Sequence, residues 1–171
     1  MNASFQSEIQ KCPAKGVAGD KASLNPIIYT DRNYLAGDGK VAVGNFVWND
    51  PTNSTSGDYH GSGIFKALSS GTGQPLGLVE RSQSYVNYNI LDGGTLIVPE
   101  NAALNVARRG DYYVVAATVA TAGQKVFATL ASGVVRTGTA GATIAGAVET
   151  NWTVTEGGAI GDIITISNWN A

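Results

Sequence analysis

The sequence predicts an all-β fold, a β-barrel or β-sandwich of short antiparallel strands behind an extended N-terminal arm. Three observations predict it. After residue 40 almost every stretch is a short β-branched or aromatic run closed by a turn, and the chain holds 22 glycines. Hydrophobic residues make up 43% of the chain and charged residues 14%. Charge usually reaches about a quarter of a soluble chain, so this one should fold and should cover part of its surface with something other than water. Finally, Val148, Thr150, Trp152 and Val154 alternate with Glu149, Asn151, Thr153 and Thr155, the period of a half-buried strand.

Residues 1–40 read as the arm. Pro13 and Pro26 break helices there, and Gly16, Gly19, Gly37 and Gly39 punctuate it. Its basic residues are Lys11, Lys15, Lys21, Arg32 and Lys40, and its acids are Glu8, Asp20, Asp31 and Asp38, a net of +1. One short strand is expected near Ile27-Ile28-Tyr29-Thr30. The arm lacks the apolar periodicity to fold alone, so it should order only against a partner.

Residues 41–171 read as the folding unit, one barrel or sandwich divisible into two small β subdomains. Val41 to Trp48 is a strand ending at Asn49-Asp50-Pro51. Residues 51–63 are a loop. Gly63–Leu68 and Leu76–Glu80 flank a Ser-Ser-Gly-Thr-Gly-Gln-Pro turn, and Gln83–Ile90 alternates around Tyr85 and Tyr88. Asp92-Gly93-Gly94 turns into Thr95–Val98. Leu104–Val106 leads to a turn at Arg108-Arg109-Gly110 and then to Asp111–Thr118, apolar on both faces as a central strand would be. Lys125–Leu130, Val134-Val135, the alternating strand at 148–155 and a last strand, Ile160–Trp169, complete the chain. Thr137–Gly146 reads as a loop.

Composition also excludes function classes. The net charge of −2 gives no basic face for nucleic acid. No apolar run approaches the ~18 residues of a membrane helix. The first ten residues lack the basic and apolar regions of a signal peptide. Cys12 is the single cysteine and cannot form an internal disulfide, in keeping with synthesis in a reducing cytoplasm.

Chemistry is sparse. His60 is the single histidine and lies in a Gly/Ser/Asp loop. A triad drawn through Asp58 and one of the many serines is arithmetic on common residues, since a triad is defined by geometry. Asp50, Asp58 and His60 match no calcium-loop spacing. Gly71-Thr-Gly73 lacks the third glycine and the following helix of a dinucleotide fingerprint. Arg109-Gly110-Asp111 spells an adhesion tripeptide but reads as a turn. No enzyme activity, no metal and no cofactor are expected.

Several blocks together resemble a known family. They are Gly19-Asp20…Asn25-Pro26, Val41-Ala-Val-Gly-Asn-Phe-Val-Trp48, Gly77-Leu-Val-Glu-Arg81, Val98-Pro99, Gly110-Asp111-Tyr-Tyr-Val114 and Gly123-Gln-Lys-Val-Phe-Ala128 with Gly133. In this order they resemble the cement (decoration) proteins of tailed bacteriophage capsids, over roughly residues 16–135. One departure is Asn101, where that family tends to carry glycine; asparagine also tolerates positive φ.

The resemblance implies a non-enzymatic virion protein, made in the bacterial host cytoplasm, on the outer capsid surface. It implies the phage's major capsid protein as partner, a clamp across neighbouring capsid subunits, and a homo-oligomer, a trimer with a dimer as the alternative. Interface residues are then sought among aromatics and arginines. Ile27, Ile28 and Tyr29 are arm anchors, suited to adding a strand to a neighbour's sheet edge. Arg108 and Arg109 suit interface carboxylates. Of Tyr112 and Tyr113 one should face outward, and Tyr112 is taken as a contact. Trp169 stands near the C-terminus, whereas Trp152 belongs in the core. The competing reading is a receptor- or glycan-binding tail or head-fibre protein, for which exposed aromatics would form a sugar platform.

Overall fold

The computed structural model describes residues 15–53, 65–85 and 96–169. Twelve strands are seen among them: β1 Ile28–Tyr29, β2 Tyr34–Ala36, β3 Phe46–Asn49, β4 Phe65–Leu68, β5 Gly77–Val79, β6 Ala103–Leu104, β7 Val106–Arg109, β8 Asp111–Val115, β9 Lys125–Thr129, β10 Val135–Gly138, β11 Ala147–Glu156 and β12 Ile163–Ser167. The one helical element described is the 3-10 turn Pro51–Asn53. The all-β expectation holds.

The strands form two sheets. One has the order β1-β7-β5-β3-β4-β2-β6 and the other β10-β9-β11-β12-β8. Pairing is antiparallel except between β2 and β4, which run parallel with Tyr34 opposite Phe65 and Ala36 opposite Ala67. A parallel pair needs a long crossover, and β3 lies within that crossover, on the other side of β4.

Alternation sorts the core into two layers. Phe46, Trp48, Leu78 and Ala107 face the second sheet, where Tyr112, Val114, Val126, Trp152, Val154, Ile164 and Ile166 meet them. Trp152 ties the layers together, edge-on to Phe46 at 6.3 Å and to Tyr112 at 6.0 Å. The opposite face of β3, β5 and β7 offers Val47, Val79 and Val106 to Tyr34, Ala36, Val41, Val43, Val98 and Leu104. β3 over Phe46–Trp48 and β5 over Gly77–Val79 are therefore covered on both faces and apolar throughout, whereas β7 is covered at Val106 and Ala107 and exposed at Arg108 and Arg109.

Asp111–Thr118 differs from expectation. Its strand, β8, is the end strand of the second sheet. Tyr112, Val114 and Ala116 point inward, while Val115 is 42% exposed. Of its outer positions Val115 and Ala117 are exposed and Tyr113 is partly covered. The segment before β1 lies along the free edge of β8: Gly19 N–H donates to Tyr113 O at 2.7 Å, and Tyr113 N–H donates to Asp20 O at 3.0 Å. At Gly16 a side chain would strike the Tyr113 ring, 2.8 Å from an ideal Cβ.

No break in the fold falls at residue 40. Within the region expected to be an arm, β1 pairs with β7 and β2 lies between β4 and β6. Tyr34 and Ala36 are buried. Residues 1–14 of the expected arm lie outside the described residues, as do most of Gln83–Ile90 and the loop with Asp58 and His60. Thr95–Val98 contributes a single bridge, Ala42 to Ile97, among its described residues. Asn101 takes φ +64, so the glycine-like turn survives at that position. The alternating strand at 148–155 appears as β11, and β10 enters the stretch expected to be a loop.

Among the described residues the two sheets are linked at several places, two of them through the backbone at a turn. A single residue, Gly110, separates β7 in the first sheet from β8 in the second. Farther along, the turn after β9 reaches back to the first sheet, where Phe46 N–H donates to Gly133 O at 2.9 Å.

Candidate docking surface

Four of the seven interface candidates share one hollow. Ile28 and Tyr29 on β1 and Arg108 and Arg109 on β7 line it, together with Asp31, Asn151 and Asn168, around a volume of about 690 Å³. The register explains the meeting: β1 lies antiparallel to β7, with Ile28 opposite Arg109 and Tyr29 opposite Ala107. A backbone irregularity falls between those pairs. Both β1 side chains are left part-exposed, Ile28 at 48% and Tyr29 at 40%.

The backbone under the arginines is held firmly. Asn168, itself buried, donates from Nδ2 to Arg108 O at 2.6 Å, and its Oδ1 accepts from Gly110 N–H at 2.9 Å. One side chain thus spans the carbonyl before the sheet-to-sheet corner and the amide at it. Arg109 stacks on Trp169, its guanidinium carbon 5.0 Å from the ring centroid, a cation–π arrangement. The indole Nε1 of Trp169 is buried and has no acceptor among the described residues.

The remaining candidates lie deeper. Ile27 is half-buried against the inter-sheet core. Tyr112 has no exposed surface, so it is corrected from surface contact to core residue; its neighbour Tyr113 is the outward one of the pair. The cause is Glu80, a buried carboxylate. Its Oε2 accepts from the Tyr112 hydroxyl at 2.6 Å and the Tyr29 hydroxyl at 2.8 Å, and Lys21 Nζ approaches Oε1 at 3.7 Å. Burial, then hydrogen bonding to Glu80, pushes the Tyr29 hydroxyl up to about 12 and the Tyr112 hydroxyl higher still.

Other sequence motifs resolve into structural roles. Asp111 of the Arg-Gly-Asp tripeptide accepts from Ser23 Oγ at 2.5 Å and Asn25 Nδ2 at 2.6 Å. Burial raises its carboxyl, but hydrogen bonds from Ser167, Ser23 and Asn25 outweigh that and hold it below the ordinary range. The Gly71-Thr-Gly73 loop folds over Trp48, whose Nε1 donates to Gly73 O at 3.0 Å. A Cβ at Gly71 would collide with that indole. Asp50 Oδ1 accepts from Thr52 N–H at 2.9 Å and from its hydroxyl at 2.7 Å. The sequence reading misses Asn168, Asn151 and Glu80. The partners of Asn168 and Glu80 lie tens of residues away in the chain, and no local pattern marks these residues.

The fold is that of an all-β, two-sheet sandwich, with Ile28, Tyr29, Arg108 and Arg109 together lining a hollow beside β1 and β7. Over residues 5–168 the chain matches the phage cement family, described as structural cement protein (E217 gp24/Pam3 gp6). It belongs to that family and is a structural protein of the phage capsid, as the ordered blocks of its sequence suggest. A chain in the solved structure of the capsid of Myoviridae Phage XM1 has a similar fold, with a TM-score of 0.63, 14% identity and 96% of each chain covered. Among curated proteins no sequence match is found.

Proposed function

We propose that this protein binds the outer surface of the expanded capsid and clamps neighbouring subunits of the major capsid protein. It does so as a homo-oligomer, a trimer being the expected state, without catalysis and without a cofactor. The observation that carries the reading is the family match over residues 5–168, which takes in almost the whole two-sheet body. The mechanism is mass action. A protein that binds the assembled lattice but not separated subunits stabilises it by about 4 kcal/mol per site when its free concentration is about a thousandfold above Kd. Repetition over the lattice makes modest contacts effective against the outward pressure of packed DNA. Ile27, Ile28, Tyr29, Arg108, Arg109 and Trp169 form the proposed contact region.

The test is to add the purified full chain to capsids of its phage that lack it. Binding distributed over the whole shell, with a higher temperature of particle disruption, is expected. Binding confined to the tail vertex, or none, would refute the reading. Light scattering that reports a monomer, both free and after release from particles, would refute the oligomer.

A further inference from the structure

We propose that the hollow beside β1 and β7 docks an extended acidic segment of a capsid subunit. The segment's carboxylates meet Arg108 and Arg109, and its apolar side chains lie on Ile28 and Tyr29. The proposal rests on the reading that the chain binds the capsid, and it adds which surface binds and what chemistry it recognises.

Charge is the first argument. The chain carries a net charge of −2, yet two arginines, Arg108 and Arg109, line this hollow. Among the described residues, the ion pairs engage Lys15, Lys21, Arg32, Lys66 and Arg81, and neither Arg108 nor Arg109 is in one. Of the described residues lining the hollow, the one acid is Asp31, which pairs with Arg32 at 3.7 Å. Two arginines against one acid leave a local excess of positive charge, and a planar guanidinium fork fits a carboxylate in bidentate fashion.

Shape and polarity choose between anions. A nucleic-acid backbone is met by basic faces with phosphate-spaced cations. Here the cations adjoin two part-exposed side chains, Ile28 and Tyr29, that a phosphate chain would leave unsatisfied. A peptide alternating acidic and apolar residues satisfies both. The volume of about 690 Å³ is of the size that encloses several side chains. Extended geometry comes from β1. It is the end strand of its sheet, so its second edge offers backbone groups that a further strand can pair.

The site is also pre-formed. Asn168 fixes the backbone from Arg108 to Gly110, and Trp169 seats the Arg109 guanidinium. Little ordering cost is then left for the moment of binding.

The experiment uses the full chain, capsids of its phage lacking it, and two soluble probes. One probe is a peptide alternating Glu with Leu, capped at both ends; the other is a single-stranded oligothymidine. The variants are Arg108→Ala/Arg109→Ala, Arg108→Gln/Arg109→Gln and Lys40→Ala. Lys40 is exposed elsewhere and controls for loss of charge alone. Both double variants should melt like the parent chain and bind capsids at least about tenfold more weakly, while Lys40→Ala binds unchanged. The peptide should compete with capsids and perturb Trp169 fluorescence only when the arginines are present; the oligothymidine should do neither. Capsid binding by both double variants equal to the parent would overturn the proposal and leave the capsid-binding reading intact. Equal competition by the oligothymidine would overturn the peptide assignment. If the parent fails to bind capsids, the capsid-binding reading falls. The site then stands or falls on whether the peptide response requires the arginines.

Discussion

Replacing Tyr112 by Phe removes one oxygen from the interior and keeps the ring that packs on Trp152. The hydroxyl donates to Glu80 at 2.6 Å, and a hydrogen bond to a charged group contributes about 1.5–3 kcal/mol. Glu80 keeps the Tyr29 hydroxyl at 2.8 Å and Lys21 at 3.7 Å, so the carboxylate is not abandoned and the loss should be about 2 kcal/mol. For a chain of this size that lowers Tm by about 4–8 °C. Tyr29→Phe should cost less, about 1 kcal/mol, because its ring is part-exposed and water can replace the lost donor. The double variant should cost more than the sum, since Glu80 then keeps Lys21 alone of these three partners. Urea unfolding followed by tryptophan fluorescence measures all three, with an unchanged m-value showing that the folded state is intact. A loss below about 0.5 kcal/mol for Tyr112→Phe, or simple additivity in the double variant, would show that Glu80 is not held by these hydroxyls.

The same cluster sets an alkaline limit. Tyr29 is raised to about 12 in the folded state from its ordinary value of 10.0. Its contribution is therefore complete below pH ~10 and is lost as pH rises through ~12; a denaturation midpoint flat from pH ~8 to ~12 would contradict this. At the acid end Asp111 is held low, so its contribution is present above about pH 4 and fades as pH falls further. Replacing Asp111 by Asn should flatten that part of the acid profile. Gly133→Ala should cost more than about 2 kcal/mol, because Gly133 has φ +66 and a Cβ there would fall on the Phe46 carbonyl. Gly123→Ala, at φ +89 but with open space around it, should cost only about 1–2 kcal/mol of backbone strain; equal losses at the two sites would refute the steric argument. Deleting residues 1–40 removes β1 and β2 and exposes the pairing edges of β4, β6 and β7. The remainder should lose its cooperative melting transition, and a sharp transition near the parental temperature would show that the first sheet does not need them.

Strands long enough to show a period are legible in the sequence. β9, β11 and β12 each run five residues or more, and alternation is visible over that span. β1, β2 and β6 are two or three residues long, too short for a period to register, so residues 28–36 read as an arm. Asp111–Thr118 reads as central because its outer positions are apolar. Apolar outer positions do not by themselves report a covering layer: Val115 and Ala117 are exposed, and Tyr113 is covered in part by the segment at 16–22. The surface is legible by residue type at Ile28, Tyr29, Arg108 and Arg109. Their convergence is not, because it depends on β1 pairing with β7 across about eighty residues. Tyr112 is misplaced for the same reason: its partner Glu80 is 32 residues away.

The single-residue corner at Gly110 has a mechanical consequence. Chains that change sheets through a long loop can let the two layers slide, because the loop takes up the displacement. Here β7 ends at Arg109 and β8 begins at Asp111, and Asn168 from the end of β12 grips both sides of the gap. A pull on β7 is passed without slack into β8 and, through their antiparallel ladder, into β12. The two layers are therefore coupled in series through one residue. A load applied to β1 and β7 at the rim reaches the second layer through this corner, braced on both sides by Asn168, with little displacement between the layers.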